Sequence, residues 1–173
     1  MARIPGITDR NQLDEAAQPI FDEIVGSRGS VRGPFPMLLH SPEMARRVAH
    51  LGTYLRFEGV LDAYTREFAV LVTCATFNCE FEWAAHSPQA REVGVSEQSI
   101  QAVRDSKPDG LSADDRLLYD LVKETLNDHR ISDATFTRAR ARFSDSALME
   151  LVGTVGYYTL LACVLNGFEV KPE

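Results

Sequence analysis

Helix-start signals recur along the whole chain and constrain the fold more than any other feature. A Ser, Asp or Asn precedes most apolar segments, and such a side chain can accept a hydrogen bond from the free N–H groups of a helical first turn. Within the segments, apolar residues return every three or four positions, as Phe68, Leu71, Val72 and Ala75 do. Alternating β-branched runs bounded by hairpin turns are missing. The pattern therefore predicts an all-α protein. The candidate caps are Ser41, Asp62, Asn78, Ser96, Ser112, Ser132 and Ser144.

Prolines and glycines predict where the first helices begin and end. Pro19 is expected either to open a helix near Gln18, because proline is tolerated in a first turn, or to kink a helix that began earlier. Gly33, Pro34 and Pro36 lie close together and predict an extended loop before the second helix.

The last apolar segment, residues 147–168, has nearly the length of a bilayer span. Glu150 lies near one end of it, and no basic cluster flanks it. We therefore interpret it as a helix buried in the core or between subunits. Gly153 and Gly156 would let another backbone pass close to it.

Length and composition predict one ordinary globular domain over residues 1–173, with an irregular arm at residues 1–12. The net charge of −7 argues against a nucleic-acid partner, which needs clustered basic residues. Three irregularly spaced cysteines do not form the framework of a small secreted domain. No apolar leader follows the first residues, so we expect a cytoplasmic protein without a membrane partner.

The stretch "NCEFEWAAH", residues 78–86, concentrates the chemistry of the chain. Residues three, four and seven apart share one face of a helix, so Cys79, Glu82 and His86 are predicted to lie together. A carboxylate four residues before a histidine can orient the imidazole for proton transfer. The structural alternative is a solvated Glu and His pair beside a cysteine that packs as a small apolar residue.

Three further positions complete the predicted site. Glu67 lies in an otherwise apolar helix, where a carboxylate needs either water or a partner. Phe81 and Trp83 face away from the polar stripe and can form the wall of a substrate pocket. Arg32, beside the Gly-Pro segment, could hold a substrate carboxylate.

A metal centre is one alternative for these residues. Two carboxylates and an imidazole, Glu67, Glu82 and His86, suit iron, manganese or zinc. A second histidine is missing from the set, so the sequence predicts neither a metal nor another cofactor.

The spacing Glu67, eleven residues, Cys79, two residues, Glu82, three residues, His86 resembles the carboxymuconolactone decarboxylase and alkylhydroperoxidase D-like superfamily. The resemblance extends over most of the chain, and its flanking segments are similar to the decarboxylase branch. It implies a helical bundle of the alkylhydroperoxidase D type that assembles as a homo-oligomer, a trimer or hexamer. It also implies that Glu67 and His86 relay protons and that Cys79 is a redox sulfur.

The sequence departs from the redox pattern at one position. Glu82 occupies the place of the second redox cysteine and cannot form a disulfide. Cys74 would point about 140° away from Cys79 on a helix. We therefore predict a carboxy-lyase-like enzyme with catalytic Glu67, Cys79, Glu82 and His86. It would decarboxylate, isomerise or hydrolyse a small carboxylated lactone or aromatic-breakdown product. The alternatives are a thiol-dependent alkylhydroperoxidase acting through Cys79, and a metal-binding or non-catalytic module.

Overall fold

The computed structural model describes residues 2–172, and the two ends of the predicted domain, Met1 and Glu173, lie outside them. These residues form helices and connecting segments, with no strand among them, which confirms the all-α prediction. The helices are α1 (Gln18–Arg28), α2 (Phe35–Leu38), α3 (Pro42–Thr53), α4 (Ala63–Thr76), α5 (Glu80–Glu92), α6 (Glu97–Arg104), α7 (Ala113–Lys123), α8 (Asp133–Arg142) and α9 (Asp145–Gly167).

Two helices continue into π-helical turns, and two short 3₁₀ turns interrupt the connections. The π-helical turns are Tyr54–Glu58 after α3 and Glu124–Asp128 after α7. The 3₁₀ turns are Arg10–Gln12, within the N-terminal arm, and Pro108–Gly110.

Helix α4 lies at the centre of the bundle and packs against α5, α7 and α9. One apolar cluster joins it to α6, α7 and α8, and a second joins it to α1, α2 and α3, with α9 contributing to both. Every residue from Glu67 to Cys74 is buried, which places the carboxylate of Glu67 inside the protein.

The predicted caps are mostly confirmed. Side chains of Asp62, Ser96, Ser112, Ser132 and Ser144 each accept a hydrogen bond from the backbone N–H three residues further on. Pro19 lies in the first turn of α1, so of the two predicted alternatives it opens the helix rather than kinking it. Gly29 ends that helix in the left-handed region, with φ of 77°.

Two local predictions are wrong. The segment predicted to be an extended loop contains the single turn α2, because a proline can occupy the first turn of a helix without losing a hydrogen bond. Asn78 does not cap α5. Its φ of 50° places it in the left-handed region, which asparagine tolerates, and the cap position falls to Cys79.

Among the described residues, α9 is the one helix long and apolar enough to cross a membrane, judged by length and composition. Just over half of its most apolar window, 56%, is buried inside the protein. Glu150, in the second turn of α9, accepts hydrogen bonds from Tyr54 and Val60. We therefore regard α9 as a core helix.

Candidate active site

The buried carboxylate of Glu67 meets His86 across the contact between α4 and α5. His86 Nδ1 donates to Glu67 Oε2 over 2.6 Å, and both side chains are almost fully buried. The other carboxylate oxygen lies 3.5 Å from Arg66 Nε. The acid in the apolar helix therefore has a partner, and that partner is the histidine of the sequence motif.

The second nitrogen of His86 faces a second carboxylate. Glu82 Oε2 lies 3.4 Å from His86 Nε2, one turn earlier on α5. The imidazole also packs edge-to-face on the Tyr158 ring, with centroids 4.9 Å apart and an interplanar angle of 86°. The ring is thus held between two carboxylates and an aromatic wall.

The pair titrates as an ion pair. Burial acts to lower the pKa of His86, but the hydrogen bonds and charges of Glu67 and Glu82 outweigh it, so the pKa is raised above 6.5. Burial likewise acts to raise the pKa of Glu67, but the hydrogen bond and charge of His86 outweigh it, so the pKa is lowered below 4.5. Both directions favour a charged imidazole beside a charged carboxylate.

This pair gives stability a predictable pH dependence. The contribution of Glu67 to the free energy of unfolding is complete above pH 4.5 and is lost as the pH falls through its lowered pKa. The contribution of His86 to the free energy of unfolding is complete below pH 6.5 and is lost as the pH rises through its raised pKa. We expect the unfolding free energy lost in His86→Gln to be greatest between these values. Chemical denaturation at several pH values measures it.

The control for this series is His50→Gln, because His50 is exposed and paired with Glu23 on the surface. Its effect on stability is expected to be small at every pH. A loss in His86→Gln that stays constant from acid to alkaline pH would contradict the charged pair.

Cys79 is placed differently from the prediction. It is 1% exposed and packs among Phe77, Phe81 and the last turns of α9. Burial raises its pKa, and the backbone N–H groups of Glu82 and Phe81, which act in the opposite direction, do not compensate. Its position as the first residue before α5 therefore does not produce a thiolate.

The other cysteines do not supply a redox partner. Cys74 is buried, and burial raises its pKa well above the usual value. Cys163 is exposed on α9. All three thiols are free.

Beside His86 the surface opens into a cleft of about 760 Å³. Glu82, His86 and Tyr158 line its floor, whereas Glu67 and Cys79 are not among its lining residues. His86 is therefore the group that connects the buried carboxylate of Glu67 to a ligand in the cleft. The other walls come from the segment before α3, the π-helical turn after α3, and residues 170–172.

The predicted substrate-binding residues divide between two places. Phe81 and Arg32 line the cleft. Trp83 does not. It packs between the two main clusters, and the Arg104 guanidinium, held by Glu80, lies 4.8 Å from its ring centroid. Sequence spacing could not distinguish Phe81 from Trp83, because both lie outside the face of α5 that carries the polar residues.

Several cleft residues were not predicted from the sequence. Arg28 and Arg56 have the appearance of ordinary basic residues near helix ends, and no local pattern marks them. The double tyrosine Tyr157 and Tyr158, inside the otherwise apolar α9, was the available signal. Gly52 makes room for this group, since a Cβ there would lie 2.1 Å from Tyr157 Oη and 2.6 Å from Arg28 Nη2.

The geometry does not favour the metal alternative. Glu67 and Glu82 bind opposite nitrogens of the His86 ring, so the three side chains do not converge on one point. Across residues 2–172, no group of three or more His, Cys, Asp and Glu residues has an arrangement suited to a metal ion.

Comparisons with known proteins agree with this architecture. The carboxymuconolactone decarboxylase family matches residues 42–122, a segment that includes Glu67, Cys79, Glu82 and His86. Among curated protein sequences, none matches the chain significantly.

Solved structures share the fold at low sequence identity. A peroxidase-related protein from Ralstonia eutropha with an alkylhydroperoxidase AhpD core has a TM-score of 0.80 and 20% identity, covering 99% of this chain and 92% of that one. A peroxidase-related protein from Silicibacter has a TM-score of 0.75 and 18% identity, covering 99% and 94%. A debrominase in its apo form has a TM-score of 0.69 and 15% identity, covering 98% and 92%. Residues 42–122 are thus similar to the carboxymuconolactone decarboxylase family, and the chain as a whole shares the helical fold of the alkylhydroperoxidase AhpD core.

Proposed function

We propose that this protein is an acid–base enzyme of the carboxymuconolactone decarboxylase type. Its substrate would be a small carboxylated lactone or another product of aromatic breakdown, which it decarboxylates, isomerises or hydrolyses. The observation that carries the proposal is the imidazole of His86, which lines the cleft while a buried carboxylate holds its far side.

The three polar residues have distinct roles in this proposal. Glu67 accepts a hydrogen bond from Nδ1–H, fixes the ring orientation and favours the protonated form of the imidazole. His86 is the general acid that delivers a proton from Nε2 to the electron pair left when a bond to carbon breaks. Glu82, beside Nε2 in the cleft, is placed to take up or return a proton.

Cys79 has a positioning role in this proposal rather than a chemical one. Its raised pKa and its burial away from the cleft do not suit a nucleophile, which requires a thiolate in reach of substrate. Cys79 is the residue that precedes the first turn of α5, and its packing against Ala162 and Leu165 of α9 fixes the start of the helix that carries Glu82 and His86.

The proposal is tested by a substrate screen. Purified protein is incubated with small carboxylated lactones and aromatic-breakdown acids, and loss of substrate and release of CO₂ are followed. We expect turnover of at least one compound, and no comparable turnover by His86→Ala. Turnover that His86→Ala retains in full would overturn the assignment.

A thiol peroxidase is the competing function, since two of the structural relatives are named as peroxidase-related proteins. We expect peroxide to remove no pair of thiols from this protein, because Glu82 replaces the second redox cysteine and Cys74 and Cys79 are buried. Thiol counting after peroxide treatment measures this. The Cys163→Ser variant lacks the exposed thiol, and we expect peroxide treatment to remove no thiol from it. Loss of two thiols that Cys79→Ser abolishes would restore the peroxidase assignment.

The assembly we expect is a homo-oligomer, a trimer or hexamer in the cytoplasm. Helices α3 and α9, the π-helical turn after α3 and the residues just after that turn expose large apolar side chains to solvent, and Gly156 on α9 has open space where a Cβ would stand. Light scattering at micromolar concentration measures the mass, and a monomer would contradict this expectation. The most exposed of these side chains are Leu51, Phe57, Val60 and Met149.

A further inference from the structure

The cleft has a charge opposite to that of the whole protein. The chain has a net charge of −7, yet four basic residues line the cleft against the single carboxylate of Glu82. The protonated form of His86 adds further positive charge. A cleft of one sign concentrates its field and attracts ligands of the opposite sign. The basic residues are Arg28, Arg32, Arg56 and Lys171.

Arg28, at the end of α1, is fixed by contacts that leave its charge uncompensated. Its guanidinium lies 4.3 Å from the Phe35 ring centroid, and Nη2 donates to the carbonyl of Ala49 over 3.0 Å. Both partners are neutral, so they orient the group without pairing its charge. The absence of a side chain at Gly52 provides the space for it.

Arg56, in the π-helical turn after α3, is fixed in the same manner. Its Nη2 donates to Gln89 Oε1 over 3.1 Å, and Gln89 in turn donates to the carbonyl of Ala85. The charge of Arg56 acts to lower the pKa of Tyr157, and so does the charge of Arg28, although burial outweighs both. The two cations therefore act on the same phenol in the cleft wall.

Both arginines lack an anionic partner. Arg66 and Arg104 pair with Glu67 and Glu80, but neither Arg28 nor Arg56 pairs with a carboxylate of residues 2–172. Their Nε atoms are buried and have no hydrogen-bond partner. Buried unpaired donors and charges are costly, and a ligand that completes them is one physical explanation for their presence.

We propose that Arg28 and Arg56 form the anion-binding subsite of the cleft and take a carboxylate attached to a compact apolar body. Guanidinium groups match the two oxygens of a carboxylate, and Phe81, Tyr158 and Leu161 line apolar walls beside them. The subsite deepens the proposed function and rests on it for its reaction, since an anion held here leaves the body of the ligand beside His86. Arg32, the arginine that the sequence suggested, is exposed and contributes less.

The first measurement needs no variant. Benzoate, neutral benzamide and inorganic phosphate are titrated into the wild-type protein by calorimetry. We expect benzoate to bind about tenfold or more tightly than benzamide, the scale of a charge-assisted hydrogen bond. Equal affinities would overturn the proposal. Tighter binding of phosphate than of benzoate would overturn the carboxylate as ligand class.

The second measurement assigns the residues. Arg56→Met and Arg28→Met should each weaken benzoate binding about tenfold or more, and Arg28→Lys should recover part of the loss. The control Arg47→Gln, whose side chain is 74% exposed outside the cleft, should change benzoate affinity less than about threefold. Circular dichroism confirms folding, and Arg56→Met decides the question if Arg28→Met does not fold. Unchanged benzoate affinity in a folded Arg56→Met would overturn the proposal.

Glu67→Gln separates this subsite from the proposed chemistry. Glu67 lies behind His86 and does not line the cleft, so benzoate affinity should stay within about threefold of the wild type while turnover falls. If Glu67→Gln retains turnover and benzoate affinity depends on the two arginines, the proposed chemistry is rejected and the subsite is kept. If Glu67→Gln loses turnover but benzoate affinity does not depend on Arg28 and Arg56, the subsite is rejected and the proposed chemistry is kept.

Discussion

Replacing His86 with alanine or Glu67 with glutamine is expected to reduce turnover of the substrate by about 100-fold or more. This is the usual scale for losing a general acid or base, or the group that holds it in its working protonation state. His86→Ala removes the proton donor itself. Glu67→Gln keeps an acceptor for Nδ1 but removes the charge that holds the imidazolium. Steady-state kinetics of both variants measure the effect.

The pH profile distinguishes a positioning role of Glu67 from a purely structural one. The carboxylate raises the pKa of His86. In a plot of turnover against pH, Glu67→Gln should therefore shift the limb that reflects titration of this imidazole to lower pH. A direct titration of the imidazole by NMR gives the same information without a substrate. A variant that merely disturbed the fold would lower activity without moving that limb.

Matched controls come from the same residue types on the surface. Glu80→Gln is on the same helix as His86 but pairs with Arg104 outside the cleft, and His50→Ala removes an exposed histidine. Both should retain wild-type turnover. If His86→Ala and Glu67→Gln fold, assemble and retain full activity, the cluster around His86 is structural.

Replacing Glu150 with alanine is expected to destabilise the protein by about 3 kcal/mol, because it leaves buried donors without an acceptor. Glu150 is 7% exposed, and its carboxylate accepts from Tyr54 Oη at 2.7 Å, Val60 N at 2.7 Å and Leu61 N at 3.3 Å. For a chain of this size the thermal midpoint should fall by roughly 6 to 12 °C. Differential scanning calorimetry measures the change.

Glu150 also links stability to the cleft. Its contacts hold both ends of the π-helical turn that carries Arg56, so Glu150→Ala should weaken benzoate binding as well. Glu150→Gln keeps an acceptor and should lose less stability, and Ser146→Ala, exposed in the first turn of α9, should lose almost none. A thermal midpoint equal to that of the wild type in Glu150→Ala would contradict this role.

Much of the secondary structure was predictable because its causes are local. A serine or aspartate before an apolar segment satisfies the free N–H groups of the first turn wherever the helix later packs. Asp62 and Ser96 therefore cap their helices as predicted. The prediction that Asn78 caps α5 was wrong, because asparagine is stable both as a helix cap and in the left-handed region. The tight connection between α4 and α5 favours the left-handed conformation.

The partner of Glu67 was decided by tertiary packing. A carboxylate among apolar neighbours indicates that a partner exists, and the spacing of the motif suggested His86. Only the crossing of α4 and α5 brings Oε2 within 2.6 Å of Nδ1. Glu82, one turn earlier on α5, faces the other nitrogen through local helical spacing, so the residues form a linear series rather than a cluster around one point.

The cleft is the part that the sequence by itself did not determine. Helical spacing predicts that Cys79, Glu82 and His86 share one face, but burial of that face under α9 excludes the thiol and leaves His86 at the cleft. Arg28 and Arg56 come from separate elements that meet only in three dimensions. Local hydrogen bonding and periodicity thus determined the helices and the polar stripe from the sequence. Access to solvent and charge pairing depend on residues distant in the chain, so only the tertiary structure decided which groups can meet a ligand.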